Sequence, residues 1–242
     1  KVRIELKSQV AILENKDNAW SIIHECVMDY NKEHDAMYVG MEDVKLFDNN
    51  NIIEYTANRV TLDTIKSVEH GLYDINSNKI VESTILKYSS RQLDEKNWTL
   101  FYTKTNERRI VYTWNPLTIC EKQNDEIHVI REITTPRLFK QLRGSSHGVH
   151  IDDEIWFLCH LVNYEDRRHY YHIFLIISAE TYELIKYTQL FTFEREMVEY
   201  SLGFAYVKKD GQFLIGYSTN DNTTKYLIIG KDIIDEMTIT HQ

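Results

Sequence analysis

What most constrains this chain is a recurring pattern of short apolar runs, each closed off by a polar cluster. VAIL, WSII, VKLF, NIIEYTA, WTLFYT, RIVYTW, EIWFLCHLV, YYHIFLIIS, FLIGYS and KYLIIG are four to nine residues long and rich in Ile, Val, Tyr, Phe and Thr. Runs of that length and composition read as strands, because β-branched and aromatic side chains suit a pleated surface. Between them lie ENKDN (Glu14 to Asn18), DNNN (Asp48 to Asn51), KTNE (Lys104 to Glu107), DDE (Asp152 to Glu154) and KKDGQ (Lys208 to Gln212). Their Asn, Asp and Gly residues adopt positive φ or make local turn bonds, so the strands are expected to follow one another as hairpins. Helical periodicity is scarce. LDTIKSVEHGLYD (Leu62 to Asp74) reads equally as a helix or as a strand. The expectation is an all-β chain.

The runs repeat as a unit: a polar pair, an apolar strand, a turn, then a second apolar strand with a polar or aromatic end. Copies open at Ser8-Gln9, Glu42-Asp43, Lys96-Asn97, Ser145-Ser146 and Glu199-Tyr200, spaced 34, 54, 49 and 54 residues apart. A four-stranded propeller blade takes roughly 40 to 50 residues, so five copies predict a five-bladed β-propeller, with a short first blade, as a single domain over residues 1–242. A sandwich or an up-and-down barrel leaves the repeat unexplained. In a propeller the innermost strands surround one axis, and their polar ends meet at the mouth of a channel. The opening pairs and the endings His24-Glu25, Asn58-Arg59, Trp114-Asn115, His160 and Asn220-Asp221 are expected to meet there.

Composition narrows the function. The 242 residues carry a formal net charge of −9, which disfavours general nucleic-acid binding. No apolar run is long enough to span a bilayer, so no membrane partner is expected. Cys26, Cys120 and Cys159 are odd in number and widely spaced in apolar surroundings, which suits free thiols in a reducing, cytoplasmic compartment. The chain opens on Lys1 without Met or a signal segment, and is expected to be a fragment or a processed domain of a longer protein.

Five segments resemble the five-bladed propellers of the β-mannoside phosphorylase family and the related domains fused to bacterial or viral glycosyltransferases. EDVKLF is similar to the family's Glu-Asp-Pro-Arg strand, EKNWTLF with YTWNPL to a Lys strand followed by Trp-x-Pro, and GSSHGVHIDDEIWFLCHLV to a Gly-rich approach ending in Tyr-His-Gly. FTFEREMVEYSLGF and GYSTND are similar to the motifs of the last blade. The resemblance implies a carbohydrate-active enzyme that cleaves or transfers a mannose-like glycosyl unit. It assigns Asp43 as general acid and Glu199 and Asp221 as its catalytic partners, with phosphate or a sugar nucleotide as co-substrate, no other cofactor and an oligosaccharide as substrate. Val44 and Lys45 stand where the family has Pro and Arg, which keeps a cation but not a bidentate fork. The alternative is a non-catalytic glycan-binding or scaffolding module attached to a glycosyltransferase.

The chemistry fits those residue types. Glycosidic cleavage without a metal needs a positioned acid, and either a base with water or an incoming phosphate. Lys45, Arg59, Lys96, Arg167, Arg168 and His160 are the cations available to hold an anion; Glu42, Asn97, Ser146, His147 and Asn220 are the polar groups available to sugar hydroxyls. Trp114 and Tyr171 are candidate stacking surfaces, whereas Trp156 reads as core. The carboxylates have a second reading, as caps that satisfy blade-edge amides, and His160 one as a buried structural histidine. His147, His150, His160, His169 and His172 are dense enough to suggest a metal, but strand alternation puts His169 and His172 on opposite faces and no carboxylate stands at ligand spacing, so none is expected.

Overall fold

A computed structural model of the chain describes residues 4–17, 19–35, 38–49, 52–60, 66–89, 95–164 and 168–241. It falls into two compact units, Lys1–Lys96 and Asn97–Gln242. Both are built almost wholly of antiparallel strands joined by tight turns. The turn chemistry operates where the polar clusters stand: Asp17, Asn106 and Asp152 have φ of 51°, 62° and 54°, and Gly211 has +64°. Asn and Asp tolerate this region because their short polar side chains bond locally. Of the other turn residues, Asn18, Asn50 and Asn51 lie outside the described residues.

In the first unit β1 (Ile4–Glu5) precedes a hairpin of β2 (Gln9–Lys16) and β3 (Ala19–Val27), and β4 (Tyr38–Val39) returns to pair with β1 in parallel. The strands β5 (Glu42–Asn49), β6 (Ile52–Val60), β7 (Lys66–Asp74) and β8 (Lys79–Ile85) then form a four-stranded meander, followed by the short β9 (Lys87–Tyr88). The ambiguous LDTIKSVEHGLYD segment is strand from Lys66 to Asp74; residues 62–65 lie outside the described residues. Val10, Met28, Met41, Tyr55, Ala57 and Tyr73 make this unit's small apolar core.

The second unit holds three sheets. The strands β10 (Thr99–Tyr102), β11 (Arg108–Trp114), β12 (Leu117–Gln123) and β13 (Glu126–Ile133) meander in order. Next come β14 (Arg143–Gly144), β15 (Val149–Ile151), β16 (Glu154–Asn163), β17 (His169–Ser178) and β18 (Leu184–Thr188), where β14 and β15 both pair with β16. The last sheet is β19 (Glu199–Val207), β20 (Gln212–Thr219) and β21 (Thr223–Gly230). A short helix α1 (Lys231–Glu236) then carries β22 (Thr238–Thr240) back onto β18. The central pair β16–β17 separates two cores. Ile155, Phe157, Cys159 and Leu161 point into one with Trp114 and Phe139; Trp156, Leu158, Phe174 and Ile176 point into the other with Phe213 and Ile215. Both faces being buried explains why EIWFLCHLV and YYHIFLIIS are continuous apolar runs and not alternating ones.

Among the described residues the fold is all-β in a β-propeller arrangement with four blades, not the five expected. The copies opening at Glu42, Lys96, Ser145 and Glu199 each begin a sheet of three or more strands, whereas the copy at Ser8 yields only the β2–β3 hairpin. Its 34 residues are used up by that hairpin, the 3-10 turn Lys32–His34 and the short β4. The strand β3 of that hairpin also lacks a buried apolar face: Ile22, Ile23 and Val27 are each more than half exposed. A blade needs such a face to pack against its neighbours.

Candidate functional site

In the first unit the candidate residues gather where β5 meets β6. Asp43 has a φ of 52° within a β-bulge between Glu42 and Lys45, so its carboxylate departs from the strand's alternation. Asn58 of β6, itself buried, donates from Nδ2 to Asp43 Oδ2 at 3.0 Å. Glu42 is half-buried and stands opposite Asn58 in the register. Lys45 is 2% exposed and its Nζ lies 3.5 Å from the Asp43 carbonyl oxygen. Burial pushes the Lys45 ammonium below its usual range, and the negative charges of Asp43 and Glu42 oppose that displacement. The half-buried Lys96 ends this unit.

Arg59, expected to hold an anion, already faces two within the protein. Its guanidinium is 1% exposed, lies 3.1 Å from both Asp35 Oδ1 and Glu69 Oε2, donates to the Asn31 carbonyl at 3.2 Å and sits 5.3 Å above the Tyr30 ring. Tyr55 donates to Glu69 Oε1 at 2.5 Å, and burial raises the Glu69 carboxyl despite that bond and the Arg59 charge. His70 and Glu54 form a second buried contact at 3.4 Å. Sequence reasoning missed Glu54, Glu69 and His70. The available signal was an acidic or imidazole side chain inside a strand whose neighbours are apolar, as in IIEYTA and SVEHGL.

In the second unit the GSSHG segment joins β14 to β15 along the edge of the sheet and is pressed against β10. A Cβ on Gly144 would lie 2.2 Å from Thr99 Cγ2 and 2.7 Å from the Asn97 carbonyl oxygen, so only glycine admits this approach. Ser146 and His147 fasten it: Leu158 N–H donates to Ser146 Oγ at 2.8 Å, and Leu100 N–H donates to His147 Nδ1 at 2.9 Å, leaving the His147 proton on Nε2. Both side chains are buried.

Beside this edge lies a polar and aromatic cluster. His160 Nδ1 is 2.7 Å from Ser145 Oγ, and its ring packs against Tyr200 at 5.0 Å and Tyr170 at 5.7 Å. Tyr200 donates to Asn97 Oδ1 at 3.4 Å, and Asn97, like Asp43 the second residue of an opening pair, has positive φ. Arg168 lies 4.9 Å over the Tyr170 ring and its guanidinium contacts the Tyr170 hydroxyl. Burial raises the Tyr170 hydroxyl's pKa; Arg168 opposes the shift and Asp221 adds to it. Asn97, His160 and Arg168 therefore come together as expected residues, and Ser145, Tyr170 and Tyr200 join them.

The remaining candidates stand elsewhere. Glu199 is fully buried, and its two oxygens accept from Phe193, Glu194 and Glu196 N–H at 2.6, 2.7 and 2.8 Å, the amide-capping role that was its second reading. Asn220 and Asp221, both at φ 52°, form the exposed turn between β20 and β21, where Asn220 Nδ2 donates to Glu196. Trp114 is core and packs edge-on against Phe157. Strand alternation turns Tyr171 away from His160, onto the opposite face of the sheet. Arg167 lies outside the described residues. His169 begins β17, and His172, on the opposite face from it, is wholly buried. No helix among the described residues is long and apolar enough to cross a membrane.

No protein-family model and no curated protein matches the chain. Solved structures do. The β-1,2-mannobiose phosphorylase of Listeria innocua is similar over 91% of this chain at 10% identity, with a TM-score of 0.64. A GDP-Man-dependent mannosyltransferase of Leishmania mexicana is similar over 92% at 11% identity, TM-score 0.56, and a GH43 protein of Bacillus licheniformis over 99% at 6% identity, TM-score 0.57. This chain spans 66% of the phosphorylase's length, 76% of the mannosyltransferase's and 54% of the GH43 protein's. The likeness is one of fold.

Proposed function

We propose that this chain is a carbohydrate-active propeller that cleaves or transfers a mannose-like glycosyl unit, with Asp43 as the general acid. The observation that carries the reading is the setting of Asp43: a carboxylate at positive φ in a strand bulge, held by a buried amide donor and beside a buried ammonium group. Irregular backbone within a strand recurs next to active sites, where it aims one side chain out of the ladder. A phosphorylase and a mannosyltransferase among the structural neighbours agree with this chemistry. Asn97, His160, Arg168 and Tyr200 supply donors, acceptors and ring faces of the kinds that hold sugar hydroxyls. In this scheme Asp43 protonates the departing glycosidic oxygen, and phosphate or an acceptor hydroxyl takes the glycosyl unit. Glu199 acts as a positioning residue, since both its oxygens serve the Phe193–Glu196 loop.

That commitment of Glu199 also favours a second reading, a glycan-binding module without turnover, because it withdraws one of the carboxylates that hydrolysis needs. Incubation with β-1,2-mannobiose, with and without phosphate or GDP-mannose, separates the two. Asp43→Asn is expected to lower turnover by roughly a hundredfold to ten-thousandfold while leaving the thermal midpoint in place. Turnover that survives this change rejects Asp43 as the acid; binding without product supports the module.

A further inference from the structure

The second unit holds a contact that the proposed chemistry leaves unused: the buried hydroxyl of Ser145 lies 2.7 Å from Nδ1 of the buried His160. The backbone that carries Ser145 is clamped. Ser145 N–H and Ser146 N–H both donate to the Leu158 carbonyl at 3.0 Å, and Arg143 and Gly144 pair with His160 and Cys159 in the register of β14 and β16. Ser145 thus reaches the imidazole from a main chain fastened to β16 two residues before His160.

Counting donors gives the direction of the bond. Among the described residues His160 Nδ1 is the one hydrogen-bond partner of Ser145 Oγ. Were Nδ1 to carry the proton and donate, the hydroxyl's own proton would stand buried without an acceptor, which carries the desolvation penalty of an unsatisfied polar group. The hydroxyl therefore donates, Nδ1 accepts, and the neutral ring keeps its proton on Nε2. His147, two residues on from Ser145, shows the same arrangement with a donor that cannot reverse: its Nδ1 accepts from Leu100 N–H at 2.9 Å. The plane of the His160 ring is held separately, by Tyr200 at 5.0 Å and Tyr170 at 5.7 Å. Ring packing is indifferent to which nitrogen bears the proton, so that choice falls to Ser145.

We infer that Ser145 is a positioning residue: by donating to His160 Nδ1 it fixes His160 as the Nε2–H tautomer, which makes His160 a hydrogen-bond donor to a saccharide oxygen. The placement of the proton rests on the Ser145 contact alone. The saccharide rests on the proposed function, in which His160 belongs to the group that holds sugar hydroxyls.

Long-range proton–nitrogen correlation spectra of the full chain, with its histidines labelled with nitrogen-15, test the placement. The His160 signals are those lost in His160→Gln. At pH 7 the parent is expected to show an unprotonated Nδ1 and a protonated Nε2 at His160. Ser145→Ala is expected to shift both nitrogens towards the averaged positions of two exchanging tautomers, while His147, held by a backbone donor, keeps its pattern and reports that the segment is still folded. Calorimetry with β-1,2-mannobiose is expected to show roughly threefold to tenfold weaker binding to Ser145→Ala than to the parent, the worth of one hydrogen bond. A protonated Nδ1 in the parent overturns the inference, as does a His160 pattern unchanged in Ser145→Ala. A shifted tautomer with unchanged mannobiose affinity overturns the positioning role. Absence of mannobiose binding in the parent overturns the saccharide half together with the proposed function, and the tautomer then stands or falls on the spectra.

Discussion

At the scale of single residues, burial rather than charge pairing sets the most perturbed groups. His172 lies fully inside the second unit between Phe191 and Phe193, with neither ring nitrogen hydrogen-bonded. Burial drives its pKa down to about 3; the nearby Glu199 carbonyl opposes this without reaching hydrogen-bonding geometry. A pKa below that of the unfolded chain means that the unfolded state binds the extra proton first. The stability attached to a neutral His172 is therefore complete above about pH 6.5 and lost as pH falls towards about 3, at about 1.4 kcal/mol for each pH unit between. His172→Phe, an aromatic of similar bulk without orphan nitrogens, is expected to match or exceed the parent at pH 7 and to flatten the acid limb of urea melts. An unchanged limb would locate the acid sensitivity in another group. The histidine itself was visible in the YYHIFLIIS run; its isolation depends on two phenylalanines about twenty residues further along.

Between elements, a single carboxylate organises the approach to β19. Glu199 accepts three backbone N–H bonds from a loop that precedes its own strand, and Tyr217 and Lys225 hold Glu194 of the same loop. Bonds to a charged acceptor are each worth about 1.5 to 3 kcal/mol. Glu199→Ala is expected to destabilise the second unit by roughly 3 kcal/mol or more and to speed hydrogen exchange at Glu194 and Glu196. Little change in exchange would mean that the loop is held by Tyr217 and Lys225. Alternation explains the separation of Tyr171 from Tyr170 in the same way: adjacent residues of β17 face different cores, so only one of them meets His160.

For the whole molecule, the two units differ in how much apolar surface they gather. Both large aromatic cores belong to Asn97–Gln242, whereas the described core of the first unit is the small cluster around Tyr55 and Tyr73. A fragment spanning Asn97–Gln242 is expected to keep its β-sheet circular dichroism and a cooperative thermal transition, because apolar burial dominates domain stability. A broad or absent transition would show that this unit depends on the first. The first unit spends its interior differently, on Arg59, Glu69, Glu54, His70 and Lys45. Such buried ionic groups stabilise weakly for their cost and are retained elsewhere for specificity or chemistry.

Sequence alone determined the strands, the hairpin turns, the all-β class and the repeat, since each follows from local periodicity and from the conformational freedom of Asn, Asp and Gly. It also singled out Asp43 and Asn97, which have positive φ in the opening pairs of their repeats, and His160, which stands at the end of one. Tertiary structure alone decided the number of blades, because whether the Ser8 copy makes a blade depends on apolar partners that β3 does not bury. It alone decided that Glu199 holds a loop and that Arg59 lies between Asp35 and Glu69. These outcomes turn on which side chains meet across the sheets, and local propensity does not encode that meeting.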